Sequence, residues 1–321
     1  MITAGEGDFL ESVEGLLFDV KGFYHPPDRV ISYVRYIPDV KGDRRKGERS
    51  YRKIYDLKER YTFLKEHFPH HIYFDPVFQR ELQGVPHKDI KRVYYPRENL
   101  LQLIHAEQRD ALQECTVQLS RLLGIPTDTV GVSGSVLVGL HTRDSDIDLI
   151  VYGREHCTQC YNTLKTLREE GIVQRFDTEE ARKKAQFRWG SVNEELVRLE
   201  QKKILHGLFQ NKEYFIRLLK EEYTKYGDIH YIPLYKATLK AVVTDDTESI
   251  FTPCYYEIED SSIEGVSKLV SLRGRFCEQV KRGDSITAKG TLEKVVTEDE
   301  EYYQIMLGET GDYLVPHMLH V

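Results

Sequence analysis

Asp146 and Asp148, two residues apart in the run VGVSGSVLVGLHTRDSDIDLIVY (residues 130–152), are where residue type and spacing point most directly to chemistry. Residues 147–152 read as a strand, so alternation sets both carboxylates on one face, with Ile147 and Leu149 anchoring the other. Two carboxylates held side by side repel each other and invite a divalent cation. Hard oxygen ligands next to a phosphate favour magnesium over zinc. Just upstream, a short strand over 129–133 leads into Gly134 and Ser135, where a helical turn over 135–140 is expected. Gly134 lets the backbone approach a ligand with no Cβ in the way. Ser135 brings a hydroxyl to a helix start, where free N–H groups favour phosphate. Arg143, in the intervening loop, is placed to meet a triphosphate, although an exposed loop arginine would look the same. A phosphate cradle beside a pair of metal-binding carboxylates is the layout that phosphoryl or nucleotidyl transfer requires.

The pattern G-S-x3-G followed by D-x-D on the next strand resembles the nucleotidyltransferase superfamily, whose fold is that of the DNA polymerase β catalytic domain. HPPDRVISYVRYIPD (25–39), KEYFIRLL (212–219) and SIFTPCYY (249–256) further resemble a group of uncharacterised archaeal proteins described as predicted nucleotidyltransferases. The resemblance implies Mg²⁺-dependent transfer of a nucleoside monophosphate from a nucleoside triphosphate to a hydroxyl acceptor such as RNA, releasing pyrophosphate. It implies that Asp146 and Asp148 hold two Mg²⁺ ions, Asp148 bridging them, and that Gly134 and Ser135 hold the triphosphate. It also calls for a third carboxylate on a neighbouring strand, to orient or deprotonate the attacking hydroxyl. Asp177, 29 residues past Asp148, has a workable spacing, but DTEE also reads as a helix N-terminus with Asp177 or Thr178 as its cap. Asp245, in VTDDTES, is the other candidate and reads equally as a turn residue. Because fold does not fix function, a second class stays open: a noncatalytic nucleic-acid- or partner-binding protein that keeps the fold.

Elements on either side must position this motif. Leu101, Ile104, Leu112, Cys115, Leu119 and Leu122 recur at helical spacing before Gly124 and Pro126 stop the helix. Helices are expected at 155–170, 178–188 and 192–226 after the Asp pair. Upstream, 15–23 and 29–36 read as adjacent strands separated by HPPD, and 51–68 reads as helical. From residue 229 short β-rich pieces (234–243, 249–258, 268–276, 285–296, 302–307) suggest a small antiparallel barrel or sandwich. The expected class is α+β: a β-containing region (1–95), a central nucleotidyltransferase-like mixed sheet with helices (96–228) and a β-rich, barrel-like domain (229–321).

The composition of the 321 residues narrows the class. Lys and Arg total 45 against 52 Asp and Glu, a net charge of −7, which argues against a uniformly basic nucleic-acid-coating protein. Residues 41–60 are nonetheless locally basic, with Tyr51 and Tyr55 interleaved, which suits an RNA backbone or merely a solvated face. The last 31 residues carry the opposite sign. No apolar run approaches the roughly 20 residues of a membrane span, so no membrane association is expected. The opening MITAGEGDFLESVEG lacks signal-peptide character and five cysteines make no disulfide framework, so a cytoplasmic location is expected. Cys157-Thr158-Gln159-Cys160 is a C-x-x-C, but both cysteines fall on one apolar helical face and read as buried small residues. His67, His70 and His71 surround Pro69, which would break a shared helix, so exposed or capping roles are expected of them.

Overall fold

Eight strands and one helix fill the first 95 residues of the computed structural model, which describes residues 3–190, 193–221 and 224–317. The strands are β1 (Phe9–Ser12), β2 (Leu17–Val20), β3 (Arg29–Pro38), β4 (Arg44–Lys46), β5 (Arg49–Lys53), β6 (Ile72–Asp75), β7 (Arg80–Pro86) and β8 (Ile90–Tyr94). They pair in the order β4-β5-β3-β2-β1-β8, with β7 on β3 and β6 on β7. The expected neighbouring strands are β2 and β3, antiparallel with Leu17 opposite Tyr36 and Val20 opposite Ser32. The helix expected over 51–68 is shorter: α1 spans Leu57–His67, and Asp56 caps it by accepting the Glu59 N–H at 2.8 Å. Tyr51 instead lies on β5 and is buried, so packing on its neighbours overrides local helix preference.

The apolar face expected over 101–122 is divided between two helices, α2 (Pro96–His105) and α3 (Ala111–Leu122). Asp110 and Gln113 form a capping box at the start of α3. Arg109 donates to the carbonyls of Leu103, Ile104 and Ala106 at the C-terminal end of α2. Gly124, at φ 69°, follows the end of α3 as expected. Next come β9 (Val130–Val132), a four-residue helix α4 (Gly134–Leu137) and β10 (Ile147–Tyr152). β9 and β10 are antiparallel, with Leu149 opposite Val132.

Helices α5 (Arg154–Glu169) and α6 (Thr178–Trp189) lie where the periodicity sets them. The long helix expected over 192–226 does not form. Its described part is α7 (Glu194–Lys202) followed by a hairpin of β11 (His206–Phe209) and β12 (Lys212–Leu219). Gln210 and Asn211 form the two-residue turn, both at positive φ, as tight hairpin turns require. Along β12, Tyr214, Ile216 and Leu218 are buried while Glu213, Phe215 and Arg217 are half-buried, a period of two.

The chain divides into two compact units. The first comprises Met1–His156, Lys212–Ile216 and Glu221–Asp228; the second comprises Cys157–Asn211, Arg217–Lys220 and Ile229–Val321. In the first, the opening residues of β12 lie beside β10, and β9 flanks β10 on its other side. In the second, α6 and α7 enclose a charged core. Glu200 accepts from Arg188 and from Trp189 Nε1 (3.1 Å), lies 3.7 Å from Lys203 Nζ, and is fully buried with that lysine.

The second unit also holds six further strands: β13 (His230–Asp245), β14 (Cys254–Glu259), β15 (Val266–Ser271), β16 (Ser285–Val296), β17 (Glu301–Leu307) and β18 (Tyr313–Pro316). The expected β-rich text is mostly sheet, but 249–253 and 272–276 lie outside the strands, and one pairing differs. β15 and β17 are parallel, whereas the other pairs are antiparallel. Pairing runs β13-β14-β15-β17-β16 and returns to β13, closing a ring, with β18 added on β16. That 1-2-3-5-4-1 order is the connectivity of OB-fold barrels.

Candidate active site

The strand–turn–strand of the first unit brings Gly134 against Asp148. The Ser133 N–H donates to the Asp148 carbonyl at 2.8 Å, so the backbone leaves β9 still in register with β10. Gly134 then turns at φ 60°, a conformation that favours glycine. A Cβ on Gly134 would sit 1.9 Å from Asp148 Oδ2 and 2.8 Å from its Cγ. The Asp148 carboxylate thus rests where any side chain would be, and the glycine is a condition of its placement.

Ser135 is buried, and its hydroxyl has no hydrogen-bond partner among the described residues. A buried hydroxyl without a partner costs free energy unless something satisfies it. The helix that follows is only four residues long, so its dipole is small, and the hydroxyl is the clearer binding feature. Ile147 and Leu149 of β10 are buried while Asp148 and Asp146, the residue just before the strand, are half-buried, the alternation expected of them. Arg143 is exposed, and its backbone carbonyl accepts from Lys212 Nζ at 2.6 Å.

Two residues that build this site were not singled out from the sequence. Arg44, buried on β4, donates from Nη1 to the Leu140 carbonyl at 2.8 Å and to Ser145 Oγ at 3.3 Å. It therefore pins both ends of the loop that carries Arg143 and delivers Asp146. Tyr36 of β3 is buried near the Asp pair. Burial is the main cause pushing its hydroxyl pKa up; Arg35 and Arg44 oppose the rise, and Asp148 and Asp146 add to it. Phe9, Leu17, Tyr36, Tyr51 and Tyr94 pack with Leu137, Val138 and Leu140, so the N-terminal sheet is the floor under the Gly134 turn.

Part of the basic run 41–60 is occupied within the first unit, while Lys41, Arg45, Arg49 and Lys58 are exposed. Besides Arg44, Arg60 is buried and donates to the Ile54 carbonyl, Lys46 bonds the Tyr94 hydroxyl, and Arg52 pairs with Asp39 and Glu59. In the second unit, Cys157 and Cys160 are buried on α5, as their apolar face requires. Asp177 caps α6, accepting the Glu180 N–H at 2.8 Å while Glu180 returns to the Asp177 N–H at 3.0 Å. Asp245 accepts from both the backbone and the hydroxyl of Thr247, a turn that holds its carboxyl below the usual range. Each follows the local role that its sequence also allowed. Glu213 was passed over because its segment read as helix; β12 sets it on the strand beside β10.

A family model described as "Nucleotidyltransferase domain" matches residues 112–226. An uncharacterized protein of Methanocaldococcus jannaschii is 31% identical over 324 residues, covering 95% of each chain. The chain belongs to the nucleotidyltransferase-domain family. The matched domain holds Gly134, Ser135, Arg143, Asp146, Asp148, Asp177 and Glu213, and excludes Asp245. The likeness to the archaeal relative extends over nearly the whole nucleotidyltransferase-domain protein, including the N-terminal sheet that supports the motif. No solved structure matches the chain. No helix among the described residues is long and apolar enough to cross a membrane.

Proposed function

We propose that the protein is a nucleotidyltransferase that moves a nucleoside monophosphate from a nucleoside triphosphate to a hydroxyl acceptor. The observation that carries this reading is the contact of Gly134 with the Asp148 carboxylate beside the unpartnered Ser135 hydroxyl. The donor set fits magnesium: two carboxylates two residues apart offer hard oxygens, beside a buried hydroxyl without a partner. Asp146 and Asp148 would hold the two Mg²⁺ ions, which when bound neutralise charge on the triphosphate and the departing pyrophosphate.

The chain's own residues do the rest. Ser135 Oγ donates to a phosphate oxygen, and Gly134 admits that phosphate to the backbone. Arg44 holds the loop so that Asp146 and Arg143 keep their place. Glu213 is the carboxylate we assign to the acceptor: it takes the hydroxyl proton as the acceptor oxygen bonds to the α-phosphorus. The bond from that phosphorus to the bridging oxygen breaks, and pyrophosphate leaves.

RNA is one acceptor that this reading admits. The barrel argues against itself as the RNA-holding surface. Its connectivity is one that often binds single strands, yet Glu257, Glu259, Glu264 and Glu298–Glu300 are exposed and acidic. A second reading, a noncatalytic binding protein, draws on one observation. Among the described residues, Asp146 and Asp148 are not joined by a third His, Cys or carboxylate donor within 4.8 Å.

Incubation with each labelled nucleoside triphosphate, Mg²⁺ and total cellular RNA or protein decides between the two. Label should enter one acceptor fraction, and Asp146→Asn with Asp148→Asn should abolish it. Unchanged labelling in that double variant would sink the assignment. A thermal shift with nucleotide and Mg²⁺ but no label transfer would favour the binding protein.

A further inference from the structure

A second donor cluster lies in the first unit, on different elements. Glu14 of the β1–β2 turn, with His70 and His71 of the short turn Pro69–His71 after α1, brings three ligand atoms within 4.8 Å of one another. His70 Nε2 is 3.0 Å from Glu14 Oε1, and His71 Nε2 is 3.5 Å from Glu14 Oε2. Donors around a tetrahedral ion with bonds of about 2.0–2.1 Å stand about 3.3 Å apart, between these two separations, which reach different oxygens of Glu14. The sequence suggested exposed or capping histidines here. His70 is indeed exposed, but His71 is fully buried, and Pro69 directs it inward from a new turn rather than along the helix that ends at His67.

The burial of His71 is the second observation. Neither of its ring nitrogens makes a hydrogen bond, and Glu14 Oε2, which it faces, is likewise buried and without one. The two stand 3.5 Å apart, longer than a normal hydrogen bond, and a cation between them would take up both. His70 also lines an open pocket of about 710 Å³ together with Asp28, Arg29, His87 and Asp89, so water or a small anion can reach the donors.

We propose that Glu14, His70 and His71 bind one zinc-class ion through two imidazole nitrogens and a carboxylate. Nitrogen donors select such a borderline ion over magnesium, which sets this centre apart from the Asp146–Asp148 pair. The ion ties the β1–β2 turn to a segment 56 residues further along the chain.

Co²⁺ titration of the intact protein tests the site without reference to catalysis. Four-coordinate Co²⁺ with nitrogen ligands has strong visible bands, whereas a carboxylate and water site gives weak ones. The wild type and the Asp146→Asn, Asp148→Asn double variant should each bind one Co²⁺ with strong bands, displaced by Zn²⁺ and not by excess Mg²⁺. His70→Ala and Glu14→Gln, both folded by circular dichroism, should lose the bands and bind Co²⁺ at least 10-fold more weakly. Absence of strong bands in the wild type, or their persistence in both single variants, overturns the proposal. Should either variant fail to fold, Zn²⁺ must still raise the melting temperature of the double variant, and no shift there overturns it equally.

Discussion

Gly134 is the residue on which the proposed site depends most tightly, because Asp148 Oδ2 occupies the place of its missing side chain. Gly134→Ala must displace that carboxylate and also hold alanine at positive φ. Displacements of about 1 Å in a catalytic group cost on the order of 100-fold in rate. Label transfer should fall by about that factor, while the loss of stability stays at about 1–2 kcal/mol by urea titration. The third carboxylate is decided at the same scale. Glu213→Gln should remove transfer, whereas Asp177→Asn should leave kcat within a few-fold of wild type, because asparagine caps helices nearly as well as aspartate. The reverse result would return the assignment to Asp177. The Gly-Ser and Asp-x-Asp residues were legible in the sequence because their chemistry is local: every part of that geometry lies within 20 residues of chain. Glu213 was not, because only the pairing of β12 with β10 sets its strand beside the one that carries Asp148.

At the scale of elements, the same contrast explains what periodicity could reveal. β9, α4, β10, α5 and α6 follow patterns that neighbouring residues enforce, and they fold where those patterns set them. β12 did not declare itself, since a short apolar run fits a helix or a strand until its pairing partner is known. Arg44 is more distant still: its bond to the Leu140 carbonyl spans 96 residues, and nothing near either end announces it. Its basic neighbours suggested a solvent or RNA role, while its burial makes it a positioning residue. Arg44→Ala should lower kcat by about 10-fold or more with KM for the nucleotide little changed, since the loop rather than the phosphate contact is released. A rise in KM alone would instead make it a binding residue. The packing of α6 on α7 has its own weak point. Glu200→Ala leaves Arg188 and Lys203 without their buried counter-charge, and breaking such a pair costs about 3–5 kcal/mol. Denaturant titration should show that loss, and a change under 1 kcal/mol would mean that solvent reaches the cluster.

For the whole molecule, stability against pH is set by groups that no motif marks. Burial raises the Asp8 pKa to about 7, against the pull of the Gly5 N–H, and burial lowers the His25 pKa to about 4. Asp8 holds its proton in the folded state while the unfolded chain gives it up, so its contribution is full below pH 4 and is lost as pH rises to 7. His25 acts in the other direction, contributing above pH 6.5 and losing that contribution as pH falls to 4. Across the interval from pH 4 to 6.5 the two slopes oppose. Asp8→Asn should therefore expose the His25 slope: melting temperature rises steeply with pH, and the gain over wild type is near zero at pH 4 and several degrees at pH 7.5. A constant offset across that range would show Asp8 to be ionised throughout. The C-terminal ring of strands carries a consequence of a different kind. β13 pairs with β14 along part of one side and with β16 along twelve residues of the other, and β16 is covered further by β17 and β18. β16, matched on both sides, has few free N–H and C=O groups to offer an incoming extended peptide, whereas β14 meets β13 only at Val242, Val243 and Asp245. Along β16 the backbone is already committed to its neighbours, so a contact there is made by side chains.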